Sequence, residues 1–298
     1  MKPFLLLAFF VLLNACADPY GKYKKPPEHI TQASAANAAY YEAYDATLEL
    51  WNVSFEELYI PTTNGMAHVI VSGPKNAEAV VLLHGMNASS TMWYPNIEAL
   101  AKNHRVFAID FILEPGKSHL SKDIESVEKV TSWYKEVLFA LELDSFHLIG
   151  ASRGGWLAVT LALNDQTKIK SLILLSPAQT FTWIKPSTDL LKNIVRIFSS
   201  KEKQIAQSLE SMSSNVGKIN EGYLRQYKLG MELDSENKFV TSMQPFSNSE
   251  LKSLQMPVLV ANMLPKGKGE VIQNAGHFLS IDQAATVNKK MLDFLNIP

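Results

Sequence analysis

One serine of the sequence stands in a context that favours nucleophilic chemistry. Ser152 is the centre of the segment GASRGG at 150–155, which follows the apolar run Phe146–Ile149 and precedes a helical pattern that starts at Trp156. A strand, a sharp turn and a helix in this order lift the central hydroxyl above a sheet. Glycines flank it because a β-carbon in so tight a turn would collide with neighbouring backbone. The helix N-terminus favours developing negative charge, so Ser152 is the predicted nucleophile.

A histidine near the C-terminus is the predicted base. A serine hydroxyl is a poor nucleophile until a base takes its proton. His277 ends the segment NAGH, after the last apolar strand and before the last helical pattern. Of the seven histidines, His29 falls in a stretch rich in Pro and Lys, and His68, His119 and His147 have no motif around them. The sequence therefore favours His277 for this role.

The strands and helices that must position these two residues are predicted from the hydrophobic pattern of the sequence. Short apolar runs alternate with longer helical patterns, which is typical of a mainly parallel sheet with helices on both faces, an α/β class. With 47% hydrophobic residues among 298, the chain can fill one large core or a core with a smaller cap. Residues 179–250 are predicted to form a helical lid, and Ala284–Leu295 the final helix. The predicted strands are 67–72, 79–83, 106–109, 146–149, 171–175, 257–260 and 270–272, with a turn at 63–65 before the first.

Several stretches beyond about Tyr40 resemble a known family. They are Trp51 with its neighbours, His68–Pro74, His84-Gly85, Ser90–Ile97, Gly150–Gly155, Ser176–Ala178 and Asn274–His277. In these stretches the chain is similar to bacterial α/β-hydrolase carboxylesterases, in particular the Bacillus enzymes that cleave aryl-propionate esters. The segment Met92–Ile97 is far more specific than the motif around Ser152, which many hydrolases share.

The resemblance implies an α/β-hydrolase fold and hydrolysis of small-molecule carboxylic esters through an acyl-enzyme. In that fold the loop after the strand at 79–83 supplies one oxyanion-hole amide, here expected from Met86, and Arg153 supplies the other. His84 in the same loop is expected to be structural. Phe181 and Trp183 of the lid are candidates for facing the acyl group. The sequence shows no metal cluster or phosphate loop, so no cofactor is expected.

The sequence departs from the family pattern at the catalytic acid. In the family a loop carboxylate follows the strand equivalent to Pro257–Val260, and a helix then leads to the last strand. Here the nine residues 261–269 read ANMLPKGKG, with no carboxylate before Glu270. A parallel crossover needs at least about 10–12 residues. A segment of the family pattern, including the acid, is therefore expected to be absent near residues 260–261.

No other carboxylate replaces it convincingly, so the acid stays unassigned. Glu270 should begin the last strand, Asp282 should point away in a helix turn, and Asp110 in this fold usually orders loops. No acid follows the strand at 171–175, another possible location, until Asp189, and Glu232 and Asp234 of the lid could reach the site only by rearrangement. Losing the acid's role lowers kcat by about 10⁴ in serine proteases, so a weak esterase is expected. The alternative is a catalytically silent surface lipoprotein of the same fold that binds a ligand or partner.

The N-terminus has the pattern of a targeting segment. Lys2 precedes the apolar run Phe4–Leu13, which is about half the length of a membrane-spanning helix. The run ends in LNAC, which resembles the bacterial lipobox, with Cys16 as the lipidated residue. We expect a signal peptide at 1–15, a tether at 16–37, and a hydrolase core at 38–178 and 251–298. The protein would then be exported and held on a bacterial membrane, at the cell surface or periplasmic side, by its lipid anchor alone.

Charge and cysteine content exclude several other classes. The net charge of −1 argues against a nucleic-acid partner, which needs a basic face. Cys16 is the only cysteine, so the chain can form no internal disulfide, and neither a cysteine zinc site nor a thiol protease is expected. A dehalogenase would need Asp in place of Ser152.

Overall fold

A mainly parallel sheet forms the centre of the fold. The computed structural model describes residues 18–183, 200–233, 242–262 and 269–297. Within these residues the strand order across the sheet is β1-β2-β4-β3-β6-β7-β8-β9, with β5 paired to β2. All neighbours from β4 to β9 are parallel, whereas β2 pairs antiparallel with β1, β4 and β5. The strands are β1 Phe55–Thr62, β2 Gly65–Ser72, β3 Glu78–Leu83, β4 His104–Ile109, β5 His119–Leu120, β6 Phe146–Ala151, β7 Ile169–Leu175, β8 Val258–Asn262 and β9 Glu270–Val271.

Side chains that alternate along the central strands supply two cores, one on each face of the sheet. In β3, Val80 and Leu82 belong to one cluster, and Val81 and Leu83 belong to the other. This alternation is expected of a strand covered on both faces, and it confirms the predicted layering. The helices are α1 Glu28–Thr31, α2 Ala35–Leu48, α3 Ile97–Ala101, α4 Val127–Ala140, α5 Arg153–Asn164, α6 Lys201–Met212, α7 Glu221–Leu233, α8 Asn248–Lys252, α9 Leu279–Asp282 and α10 Ala284–Leu295.

The structure adds an antiparallel hairpin that the sequence analysis missed. Strand β1 pairs with β2 over its whole length, from Phe55 opposite Ser72 to Thr62 opposite Gly65. The two strands are joined by the turn that was predicted before β2. The seven predicted strands all occur within a few residues of their expected bounds, and α10 has the predicted limits.

The segment before α2 differs from the expected tether. The Tyr20 hydroxyl donates to Leu141 O at 2.8 Å, and His29 Nε2 lies 3.0 Å from Lys117 O. Lys24 forms ion pairs with Asp18 and Glu56. From residue 18 onward this segment therefore lies against the sheet domain, because its aromatic and charged side chains find partners there. The predicted signal peptide and Cys16 lie outside the described residues. None of the helices that the structure describes is long and apolar enough to cross a membrane.

The region expected to be a lid is hydrogen-bonded to the core through α7 and through the end of α6. Gln226 of α7 is 2% exposed; its amide accepts from Thr91 Oγ1 at 2.8 Å and donates to Ser89 Oγ at 2.9 Å and to the Tyr40 hydroxyl at 3.3 Å. At the end of α6, Met212 O accepts from Phe278 N at 2.9 Å. Helices α6 and α7 are therefore part of the frame that surrounds the site.

Candidate active site

The predicted nucleophile lies in a strained turn between β6 and α5. Ser152 has φ 51° and ψ −117°, a left-handed backbone that costs a non-glycine residue about 1–3 kcal/mol. Hydrogen bonds hold it there: Ser152 N donates to Leu175 O at 2.9 Å, and Ser152 O accepts from Ala178 N at 3.1 Å. A Cβ on Gly150 would lie 2.2 Å from Gly154 O. The expected need for glycine beside the serine is thus confirmed.

The predicted base reaches this serine. His277 Nε2 lies 2.7 Å from Ser152 Oγ, within hydrogen-bond distance. Burial lowers the pKa of the His277 imidazole below its ordinary value, and no charge within the described part of the chain opposes that effect. The imidazole is therefore neutral at pH 7, and its Nε2 can accept the serine proton. The structure brings together the two residues that the sequence analysis named.

The loop that carries His277 is held by Asp282 and by the end of α6. The Asp282 carboxylate accepts from Gly276 N at 2.6 Å, Ser214 N at 2.8 Å and Ser213 Oγ at 2.6 Å. The Ser214 hydroxyl donates to Asn274 O at 3.0 Å. The expectation that Asp282 points away is wrong: its carboxylate turns towards the His277 loop and fixes the backbone beside the histidine. Among the described residues, the His277 ring makes its hydrogen bond to Ser152 and not to Asp282.

No carboxylate of the described residues interacts with His277. Glu270 begins β9 and forms an ion pair with Lys290. Glu232 is exposed on α7. Asp189 and Asp234 lie outside the described residues, as does 263–268, where the sequence contains no Asp or Glu. The acid therefore stays unassigned.

Asp110 belongs to a separate buried cluster. Its carboxylate is fully buried and accepts from Ser90 N and Lys117 N, each at 2.8 Å, and from the Tyr44 hydroxyl at 3.0 Å. It also lies 2.9 Å from His68 Nδ1. We call Tyr44, Glu57, His68, Asp110 and Lys117 the Asp110 cluster. It joins α2, the β1–β2 hairpin and the loop after β4, so Asp110 orders loops as expected.

Opposing influences set the pKa values in the Asp110 cluster. Burial raises the pKa of Asp110, but hydrogen bonds and the charge of His68 outweigh it and hold that pKa below its usual range. Burial lowers the pKa of His68, but Asp110 and Glu57 together raise it above its usual value. Burial likewise raises the pKa of Glu57, and His68 and Lys117 reduce it to about 2. The cluster is therefore most stable with a protonated His68 between two carboxylates.

The loop after β3 lies directly against the nucleophile. A Cβ placed on Gly85 would be 3.4 Å from Ser152 Cβ. His84 Nε2 accepts from Phe111 N at 2.8 Å, and its Nδ1 lies 2.8 Å from Gly85 O, so its ring fixes the turn as expected. Met86 follows in this loop, and Arg153 is the first residue of α5, where helix amides point out of the helix end. The two predicted oxyanion donors thus flank Ser152 on adjoining segments.

The two aromatic residues proposed from the lid occupy different environments. Phe181 is partly buried against the core that includes α4 and α5, whereas Trp183 is 58% exposed. Tyr227 of α7 is a further aromatic residue near the site. It lies edge-on to Phe278, the neighbour of His277, with ring centroids 6.1 Å apart, and it lines a small cavity with Asn87 of the loop after β3.

Comparisons with known proteins agree with this geometry. A model of the α/β-hydrolase fold family matches residues 78–211. The carboxylesterase YbfK of Bacillus subtilis is 32% identical over 282 residues, which are 86% of this chain and 93% of that protein. This chain belongs to the α/β-hydrolase carboxylesterases. The α/β-hydrolase fold and the likeness to Bacillus carboxylesterases, both expected from the sequence, are therefore confirmed, and the protein is a carboxylesterase-like hydrolase.

Solved structures extend the likeness of this hydrolase to the whole fold. The crystal structure of naproxen esterase from Bacillus subtilis matches with a TM-score of 0.79 at 31% identity, and covers 88% of this chain and 99% of that one. The crystal structure of the carboxylesterase CesB (YbfK) from the same organism matches with a TM-score of 0.77 at 30% identity, over 88% of this chain and 99% of that one.

One charged residue near the site of this hydrolase was not predicted from the sequence. Glu114, in the loop after β4, forms a buried ion pair with Arg153, and its Oε2 accepts from Asn87 N at 2.8 Å. No motif surrounds it in the sequence. The available signal was a lone carboxylate between apolar residues and a Pro-Gly turn, directly after a strand that ends at the site's edge of the sheet.

Proposed function

We propose that this hydrolase cleaves carboxylic esters through an acyl-enzyme on Ser152. Ser152 Oγ attacks the ester carbonyl carbon while His277 Nε2 takes the hydroxyl proton. The amides of Met86 and Arg153 bind the resulting oxyanion. His277 then gives the proton to the departing alkoxide, and the alcohol leaves. Water attacks the acyl-enzyme with His277 again as base, and the carboxylic acid is released as Ser152 regains its proton.

The separation of 2.7 Å between Ser152 Oγ and His277 Nε2 carries this proposal. The serine combines that contact with a left-handed backbone at the N-terminus of α5, where both the exposed hydroxyl and the helix dipole assist attack. A serine that only packed in the core would gain nothing from the strain of this turn.

The surroundings of His277 predict slow turnover. The step that forms imidazolium is unfavourable because burial lowers the His277 pKa and no described carboxylate stabilises the cation. Loss of the acid's role costs about 10⁴ in kcat in serine proteases, while the oxyanion hole and substrate binding preserve about 10³–10⁴ of acceleration over water. We therefore propose a weak esterase, and we assign no residue as the acid.

The substrate class that we propose is small esters of carboxylic acids. One similar structure is that of an enzyme named naproxen esterase, so esters of arylpropionic acids form the first panel to test, beside short acyl esters such as p-nitrophenyl butyrate.

Hydrolysis of p-nitrophenyl butyrate by the purified protein tests the proposal, beside Ser152→Ala and His277→Ala. Activity lost in both variants, together with labelling of Ser152 by a fluorophosphonate, would support the mechanism. A folded parent that neither hydrolyses the ester nor reacts with the fluorophosphonate would contradict it. That outcome would favour the alternative, a silent member of the fold that binds a ligand or partner.

For localisation we propose export and lipidation at Cys16. The supporting features are the apolar run Phe4–Leu13 and the single cysteine that follows it. Expression in a bacterium with an alkyne-tagged fatty acid should label the protein in the membrane fraction, and Cys16→Ser should abolish both label and membrane retention. Equal membrane retention of the two forms would contradict the proposal.

A further inference from the structure

A single buried ion pair connects the two segments that flank the nucleophile. Glu114 has a side chain that is 1% exposed, and the Arg153 side chain is 4% exposed. Glu114 Oε1 accepts from Arg153 Nη1, while Glu114 Oε2 accepts from Asn87 N at 2.8 Å. One carboxylate therefore bridges the first residue of α5 and the loop after β3.

The same guanidinium contacts the loop a second time. Arg153 Nη2 lies 3.2 Å from Met86 Sδ. The backbone amide of Asn87 donates to Glu114, and Asn87 has φ 57°, a left-handed conformation that asparagine adopts more readily than most non-glycine residues. The side chains of Arg153 and Glu114 thus contact both Met86 and Asn87, and the loop cannot shift without losing these two contacts.

Glu114 is itself held in place by the Asp110 cluster. It follows Asp110 by four residues, and its amide donates to Phe111 O at 3.0 Å in a tight turn. Lys117, on the far side of that turn, donates its amide to Asp110 at 2.8 Å. The loop after β4 is therefore anchored at both ends, so the Glu114 carboxylate is a fixed point for its partners.

Stability alone gives a poor account of this arrangement. Replacing a buried ion pair with apolar side chains of similar volume is often neutral or stabilising, since the charges must be desolvated. What such a pair supplies well is geometry, because the guanidinium is planar and its N–H groups have fixed directions. Here the geometry concerns two segments whose amides must converge on one oxygen atom.

We propose that Glu114 is the positioning residue of the oxyanion hole. Through Arg153 and Asn87 it sets the spacing between the amides of Met86 and Arg153, so that both reach the oxyanion formed on Ser152. The inference rests on the proposed ester hydrolysis. Because catalytic donors act only on the charge of the transition state, Glu114 should influence kcat and not substrate binding.

The test uses the full chain and three variants. Glu114→Gln keeps the shape of the side chain but removes its charge and one acceptor. The double variant Glu114→Leu with Arg153→Met removes both charges, keeps the backbone amide of residue 153, and avoids a lone buried cation. Glu56→Gln is the matched control, because it also removes a carboxylate that pairs with a mostly buried arginine, Arg105, but on β1, outside the Asp110 cluster and the loop after β3.

Active-site titration with a fluorophosphonate gives the concentration of active sites in each preparation. The values of kcat and KM are measured with p-nitrophenyl butyrate as substrate, and Tm is measured on the same preparations. We expect both Glu114 variants to lose about 10–100-fold in kcat, a fraction of the 10²–10³ that removal of one donor costs, with KM within about twofold. The inhibition constant of a trifluoromethyl ketone, whose adduct carries the oxyanion, should rise by the same factor. Glu56→Gln should lower Tm and leave kcat unchanged.

Other results would overturn the inference. A folded double variant with the parent's kcat and the parent's affinity for the trifluoromethyl ketone would show that the ion pair does not position the donors. A fall in Tm alone would assign Glu114 a structural role only. A parent protein without Ser152-dependent activity would overturn the proposed function, and this inference with it, which the Ser152→Ala comparison distinguishes from the first two outcomes.

Discussion

Replacing Asp110 with Asn tests whether the Asp110 cluster supports the fold or the chemistry. The carboxylate is fully buried. It accepts hydrogen bonds from Ser90 N, Lys117 N and the Tyr44 hydroxyl, and it lies within hydrogen-bond distance of His68 Nδ1. Oδ2 contacts three of these four groups, so the Asn side chain can keep its oxygen at that position only by turning its amide nitrogen, a donor, towards the donor Ser90 N. Asn also leaves His68 with Glu57 as its remaining charged partner.

Breaking a buried ion pair from one side costs about 3–5 kcal/mol. For a chain of 298 residues each kcal/mol corresponds to about 2 °C in Tm, the lower end of the range for large domains. We therefore expect Asp110→Asn to lower Tm by about 6–10 °C. Since Asp110 does not contact His277, kcat per titrated active site should stay within about tenfold of the parent.

Differential scanning calorimetry and active-site-titrated kinetics measure the two quantities on the same preparation. The control is Asp45→Asn. Asp45 pairs with Lys117 at 2.5 Å from a side chain that is 60% exposed, so its loss should cost under about 1 kcal/mol. If Asp110→Asn kept Tm within about 2 °C and lost 10³-fold in kcat, Asp110 would be the acid of the mechanism and the reasoning above would be refuted.

Four further outcomes are expected. The ascending limb of kcat/KM against pH should have its midpoint below pH 6.5, because burial lowers the pKa of His277 and the base must be neutral; a midpoint above 7 would indicate an acid partner that the described residues lack. The free energy of unfolding should fall as pH rises above about 6.5 and through the raised folded-state pKa of His68, since a group with a raised pKa stabilises the fold only while protonated. Urea titrations from pH 6 to 9 measure this fall. Asp110→Asn should make the free energy of unfolding depend less on pH. Asp282→Asn removes charge-assisted hydrogen bonds worth about 1–2 kcal/mol from the loop that carries His277, so kcat should fall about tenfold while exchange of the Gly276 amide accelerates; unchanged exchange would be evidence against this role. Gly154→Ala places a Cβ 2.2 Å from Leu83 O and should abolish fluorophosphonate labelling or soluble expression, whereas Gly21→Ala, which meets nothing within 4 Å, should leave both intact.

Local sequence patterns were sufficient for much of the fold and for the Ser152–His277 pair. Strand β6, the glycines and α5 form one contiguous signal, because the turn at Ser152 tolerates few residue types. The buried parallel strands were likewise predicted from their apolar runs. Strand β1 was missed because its buried positions 58–60 are consecutive and do not alternate. The Asn-Gly step at its end is typical of a hairpin turn and was the signal that indicated a partner strand.

Contacts between residues distant in sequence could not be read from local patterns. Glu114 and Asn87 come from two loops and Arg153 begins α5, and nothing in their spacing indicates that they meet. The segment around Tyr20 looked like a tether because its composition is rich in Pro and Lys. Its aromatic ring nevertheless lies edge-on to Phe107, with centroids 6.2 Å apart. Composition predicts low burial on average, but it does not identify which single side chains find partners on a neighbouring surface.

The fastening of α6 and α7 limits how this enzyme can be re-engineered. Inserted helical segments over a hydrolase sheet invite cassette exchange, in which the segment of one homologue is grafted onto another to transfer its selectivity. Here such a graft across 179–250 would discard Gln226, which binds three groups of the frame, and the end of α6 that supports the His277 loop. A productive chimera must keep Met212–Ser214 and α7, or exchange their partners at Ser89 and Asp282 at the same time. Selectivity in this protein is therefore best altered by point substitution.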